Sequence, residues 1–196
     1  MDTLPEIFIQ RPQQAEGKPA GLGRVHIIGI GGKGRCDINY LAGKLPPTIA
    51  LFTMDQDPMQ PIQVWRNHPA AEPTLLGDKE EALPQVLSGI DTLFIVTGLG
   101  GGLGTEETLS LVKAANSAQL QTHVFTSFPF EFEGRIAKAR KAVNSLKELG
   151  VPCQVQDNDM LMRLLGGNCR LNKAFDTQRE WLAGNLNRLL EAGQAR

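Results

Sequence analysis

The chain has 196 residues, a length that fits one domain, or one domain with a tail. Hydrophobic residues make up 41% and charged residues 21%, the balance of a globular protein that buries roughly 70% of its unfolded surface. Lys and Arg total 20 against 21 Asp and Glu, so a net charge of -1 gives no bulk field for nucleic acid or anionic lipid; no apolar run reaches the ~18 residues of a membrane span, and the N-terminus does not read as a secretory signal.

In chain order, residues 1–23 are rich in Pro, Gln and Gly and read as a tail, with Ile7-Phe8-Ile9 as a docking point on the body. Residues 24–196 read as one domain. Arg24–Ile30 is short, apolar and β-branched, a buried strand. Cys36–Leu41 starts a helix. Thr48–Met54 is a second buried strand, and the proline-bearing stretch Asp57–Pro73 reads as loop. Lys79–Leu87 is a short helix, Asp91–Thr97 a third buried strand and Thr105–Ser117 a helix. Thr122–Phe128 is a fourth strand. Glu133–Leu149 is an amphipathic helix with Ile136, Ala139, Val143 and Leu146 on one face, stopped by Gly150. Val151–Val155 is a fifth strand. A short helix follows at Met160–Leu164, capped by Asn158 or Asp159, and a final helix spans Leu171–Leu190. Buried strands alternating with helices predict an α/β fold: a three-layer, Rossmann-like parallel sheet with helices on both faces and a ligand beyond the carboxyl ends of its strands.

Three cysteines, Cys36, Cys153 and Cys169, form no C-x-x-C pair. That argues against a disulfide framework or a zinc site and fits a reducing cytoplasm. His26 and His123 sit in apolar runs and read as core or edge histidines, so no metal ligand is assigned. The basic stretch Arg135–Lys141 reads as a solvated helix face.

Glycine is the anomaly. Of 21 glycines, nine fall in two clusters, Gly29–Gly34 and Gly98–Gly104. Gly29-Ile30-Gly31-Gly32-Lys33-Gly34 satisfies G-x-G-x-x-G, follows a strand and opens a helix. Such a loop brings backbone amides to a phosphate with no Cβ in the way. Asp55 lies 21 residues after Gly34, where a dinucleotide fold places its ribose carboxylate. Gly98, Gly100, Gly101, Gly102 and Gly104, followed by Thr105, form a second anion cradle before a helix. Two cradles at neighbouring strand ends suit a di- or triphosphate; an ordinary dinucleotide fold has the first alone.

Asp91–Thr105 (DTLFIVTGLGGGLGT) resembles the tubulin/FtsZ signature, G-G-G-T-G-T-G after a buried strand. Ile28–Asn39 resembles that family's first glycine loop, Pro129–Arg135 its P-F-x-F-E-G segment, and Asn158–Leu161 its N-D-R-L. Order and spacing agree from about residue 24 to 190, nearer to bacterial cell-division FtsZ than to eukaryotic tubulin. The resemblance implies a domain that binds GTP or GDP, with Mg²⁺ as an optional bridge, and that assembles head to tail. It implies binding roles for Gly29, Gly31, Gly32, Lys33, Gly34, Gly98, Gly100, Gly101, Gly102, Gly104, Thr105, the ribose-facing Glu133, and Arg179 near the base-reading position. The family's hydrolytic acids lie on a loop after its central helix, with a second domain beyond. Here the chain stops at Arg196 after the matching helix, so no catalytic residue is assigned and a binding or regulatory module without autonomous GTPase activity is expected.

Departures from the pattern are specific. Leu103 stands for a signature Thr and Glu106 for the last Gly. At ~5 Å and an effective dielectric of ~20, Glu106 would repel a phosphate charge by roughly 3 kcal/mol. Lys33 and Arg35 replace glycines, Cys36 replaces Asn, and Ala137 stands where an Arg is expected. Arg179 carries donors only, whereas guanine's ring N–H and amino group need an acceptor. Trp181, Leu182, Leu186, Leu189 and Leu190 predict an apolar outer face on the last helix, and so a homo-oligomer or a separate partner chain, unless the helix rotates to bury them. Three other readings compete: a GTPase completed by a partner's acids, an NAD-binding oxidoreductase using Asp55, and a degenerate scaffold without nucleotide.

Overall fold

The computed structural model describes residues 22–194, apart from 57–58, 60, 69–70 and 167–168. The Ile7-Phe8-Ile9 docking point therefore lies outside the described residues. The chain runs β1 (Val25–Ile30), α1 (Gly31–Leu41), β2 (Ala50–Gln56), β3 (Ile62–Asn67), β4 (Thr74–Asp78), α2 (Lys79–Leu87), β5 (Thr92–Gly98), α3 (Gly102–Ser117), β6 (Gln121–Phe128), a 3₁₀ turn at Glu131–Glu133, α4 (Ile136–Glu148), β7 (Cys153–Asp157), α5 (Asn158–Leu164) and α6 (Leu171–Gln194).

The five buried strands expected from sequence are β1, β2, β5, β6 and β7, and they pair in parallel. The runs of β1, β2 and β5 are nearly continuously apolar because both of their faces are covered. Ile28, Ile30, Leu93 and Ile95 pack on one face under α2, α3 and α4. Ile27, Phe94, Val96 and Phe125 face the opposite side, under α1 and α6. The three layers are as expected, but the sheet is mixed. β3 and β4 add an antiparallel edge within and just beyond the stretch read as loop, giving the order β4-β3-β2-β1-β5-β6-β7. Of the prolines that suggested a loop, Pro61 and Pro73 fall between the strands, and Pro58 and Pro69 lie outside the described residues.

Other boundaries shift for local reasons. α1 opens at Gly31 and α3 at Gly102, so the glycine clusters form first helical turns rather than free ribbons. Gly134, at φ 67°, turns the chain out of the 3₁₀ turn, and α4 begins only at Ile136. The cap of α5 is Asp157, which accepts from Met160 N at 3.0 Å; Asp159 instead accepts from Glu131 N at 2.7 Å. On α6, Leu182, Leu186 and Leu190 are buried, and Trp181 and Leu189 pack against the same cluster. The apolar outer face predicted for this helix is not there: the helix turns those side chains onto the sheet and α1. Among the described residues, no helix is long and apolar enough to cross a membrane.

Candidate functional site

From β1 the chain moves to β2 on one side, and later returns to β5 on the other. The two following helices then leave for opposite faces, which opens a crevice beyond the strand ends. A cavity of about 590 Å³ lies there. Ile30, Asp55, Gly98, Ser127 and Asn158 line it, from the ends of β1, β2, β5 and β6 and the residue after β7.

One wall is backbone. Gly31, Gly32 and Lys33 of α1, and Gly101, Gly102, Leu103 and Gly104 at the start of α3, line it. Gly31 takes φ +71° to turn from strand to helix, and a Cβ there would lie 3.7 Å from Gly104 N, so the two loops face each other closely. The N-caps of α1 and α3 are Ile30 and Gly101, and neither helix has a side-chain cap. By contrast Asp78 caps α2, accepting from Glu80 N at 2.9 Å and Glu81 N at 3.1 Å. Both uncapped helices thus turn the positive ends of their dipoles, with first-turn amides lacking intrahelical partners, toward one space.

The other wall is aromatic. Phe130 and Phe132 stack with centroids 5.2 Å apart and an interplanar angle of 10°. Phe175 of α6 meets Phe130 edge-on at 6.3 Å. Leu171 completes this side, together with Asn158, whose Oδ1 accepts from Gln178 Nε2 at 3.0 Å.

The predicted site residues divide into two groups. Gly31, Gly32, Lys33, Gly98, Gly101, Gly102, Gly104 and Glu133 line the cavity. Gly29, Gly34, Gly100, Thr105 and Arg179 do not. A Cβ on Gly34 would sit 2.6 Å from the Val96 carbonyl oxygen, and one on Gly29 would strike Gly34 and Ile38, so these glycines let α1 lie on the sheet. Thr105 Oγ1 accepts from Gly100 N at 3.0 Å and so braces the second loop. Thr97 Oγ1 lies 3.3 Å from both the Ile30 and Gly104 carbonyls, tying one loop to the other. Arg179 is turned away, with Nη1 on Asp176 at 2.9 Å.

The charged departures do not plug the space. Lys33 pairs with Asp37 one turn along α1, Arg35 with Asp55 at 3.3 Å, and Arg135 with Glu133. Glu106 does not line the cavity; its side chain is 72% exposed and lies 3.4 Å from Lys138. Sequence reading missed Phe130, Phe132, Phe175 and Asn158 as lining residues. Three of them sit in the P-F-E-F-E-G and N-D-M-L segments already singled out. Phe175 had no signal beyond standing one helical turn before Arg179.

The fold has counterparts among solved structures of FtsZ and related proteins. The chain is 20% identical to an empty FtsZ dimer from M. jannaschii, with a TM-score of 0.67 over 86% of this chain and 55% of that one. CetZ from Methanosaeta thermophila matches at 16% identity and TM-score 0.65, over 87% of this chain and 54% of that one. In sequence, the chain is 27% identical to the cell division protein FtsZ of Neisseria gonorrhoeae over 173 residues, covering 77% of this chain and 43% of that protein. FtsZ of Buchnera aphidicola matches at 25% over 186 residues, covering 85% of this chain and 48% of that protein. No family model matches the chain. These likenesses, with the motifs in order along the chain, are all to proteins of the tubulin/FtsZ family, and the chain has their fold. It spans less than half the length of those FtsZ relatives.

Proposed function

We propose that the chain is a guanine-nucleotide-binding module of the FtsZ type, and that its own residues bind nucleotide without completing a GTPase. The observation that carries this reading is the convergence of two uncapped helix N-termini on one cavity whose far wall is aromatic. A di- or triphosphate suits the amide wall, and a purine suits the phenylalanines. The volume lies within the ordinary range for small-molecule sites, about 300–1,000 Å³. The carboxylates lining the cavity, Asp55 and Glu133, are both held by arginines, which leaves neither free to orient an attacking water. Among the described residues no group of three or more His, Cys, Asp or Glu is placed to hold a metal. A Mg²⁺ ion arriving with a nucleotide would be held chiefly by its phosphates and waters, and no step is assigned to it.

Competing readings fare worse. An NAD enzyme would use Asp55 on a ribose, but that reading leaves the second glycine loop, which also lines the cavity, without a role. A nucleotide-free scaffold does not need the open cavity. Solved TubZ structures from Bacillus thuringiensis are protofilaments, which supports self-association of this chain too, through a surface other than the buried face of α6. The bacterial FtsZ relatives support a bacterial, cytoplasmic setting.

Calorimetric titration with GDP, GTP, ATP and NAD, with and without Mg²⁺, tests the reading. GDP and GTP are expected to bind, NAD is not, and phosphate release by the chain alone stays at background. No affinity for any guanine nucleotide, or affinity for NAD alone, overturns it.

A further inference from the structure

One carboxylate on the α1 side of the cavity has a second cation in reserve. Asp37 is 2% exposed and pairs through Oδ2 with Lys33. From α6, Arg179 brings Nε to 3.8 Å from the other oxygen, Oδ1. That is beyond hydrogen-bond reach, and this Nε is buried with no acceptor. Buried donors are rarely left so. Lys33, meanwhile, lines the cavity, and its stem runs past Gly98, where a Cβ would come within 3.3 Å of it.

We propose that Lys33 binds phosphate by exchanging Asp37 for phosphoryl oxygens, and that Arg179 permits the exchange by closing onto Asp37. The proposal rests on the nucleotide reading above and adds to it one ligand-binding residue and one positioning residue. Moving Lys33 with nothing to replace it would strand a buried carboxylate, which is strongly unfavourable. A short approach of Arg179 Nε keeps Asp37 paired and satisfies the orphan donor in the same step. The freed ammonium then joins the amides of Gly31 and Gly32 against the phosphate chain. No bond is made or broken, and the charges balance throughout.

Dissociation constants of the full chain for GDP and GTP provide the test, with thermal unfolding to confirm that each variant folds. Lys33→Gln is expected to weaken binding about tenfold or more, the loss of one charge-assisted hydrogen bond. Asp37→Asn releases the lysine and tightens binding. Arg179→Ala weakens it, because Asp37 then keeps Lys33 for itself. The double variant Asp37→Asn with Arg179→Ala recovers the affinity of Asp37→Asn alone, a rescue that a purely structural role for Arg179 does not give. If Asp37→Asn fails to fold, retention of affinity in Lys33→Arg beside its loss in Lys33→Gln supports the exchange. Equal affinities in the parent chain and Lys33→Gln, or an Arg179→Ala loss that persists in the double variant, overturn the exchange and leave the nucleotide reading standing. A parent chain with no affinity for GDP or GTP overturns both.

Discussion

Glycines that look alike in the sequence do different work here. Gly34 fits because α1 lies so close to the sheet that a methyl group would meet the Val96 carbonyl oxygen at 2.6 Å. Gly32, two residues earlier, has nothing within 4 Å of where a Cβ would stand. Gly34→Ala is therefore expected to cost about 1–3 kcal/mol through overpacking, and Gly32→Ala to stay within about 0.5 kcal/mol of the parent. Thermal unfolding of the two variants side by side checks this. The first glycine loop suggested a ligand-facing role for all four of its glycines, but only Gly31 and Gly32 line the cavity, while Gly29 and Gly34 let α1 lie on the sheet. Spacing along a chain does not say which side of a turn faces a void. The same holds for Lys33 and Arg35, whose charge is legible but whose partners, Asp37 and Asp55, come from the next helical turn and from a neighbouring strand.

Helix ends carry the next level of meaning. α2 and α5 are capped at their starts by aspartates, whereas α1 and α3 begin bare, with the glycines of their first turns lining the cavity. Asp78→Ala is expected to destabilise the fold by about 1 kcal/mol, within the 0.5–2 kcal/mol span of lost N-caps, and urea unfolding measures it. β1, β2 and β5 were legible because burial on both faces makes each a near-continuous apolar run, and β6 and β7 by their place in the alternation of strands and helices. β3 and β4 were not. Only Val64 of β3 is buried among its apolar side chains, β4 lies at the edge of the sheet, and the nearby prolines give the same compositional sign as a loop. The last helix misled in the opposite direction. Its leucines and Trp181 looked too numerous for one face, yet α1 and the sheet together form a groove that takes them, with Trp181 edge-on to Phe125 at 6.5 Å.

At the scale of the whole molecule, two histidines link folding to acidity. Burial holds His123 below its ordinary 6.5. Burial also lowers His26, helped by Arg66 and Arg24 and opposed by the bond to the Val86 carbonyl. Both are stabilised in the neutral form by folding. Their contribution is complete above pH ~6.5, and it is lost as pH falls through the depressed native values, because the unfolded chain takes up protons first. Unfolding free energy is therefore expected to drop from pH 7.5 to pH 5, with a shallower slope in His123→Phe, as measured by urea titration across that range.

The meeting of four strand ends and the start of α5 at one rim separates the lining of the cavity from what keeps the chain folded. Insertions or exchanges at those crossings reshape the cavity while the layers behind them go on packing as before. Such a frame tolerates drift: a descendant can trade one small molecule for another, or give up its ligand altogether, and still be recognisable by its interior.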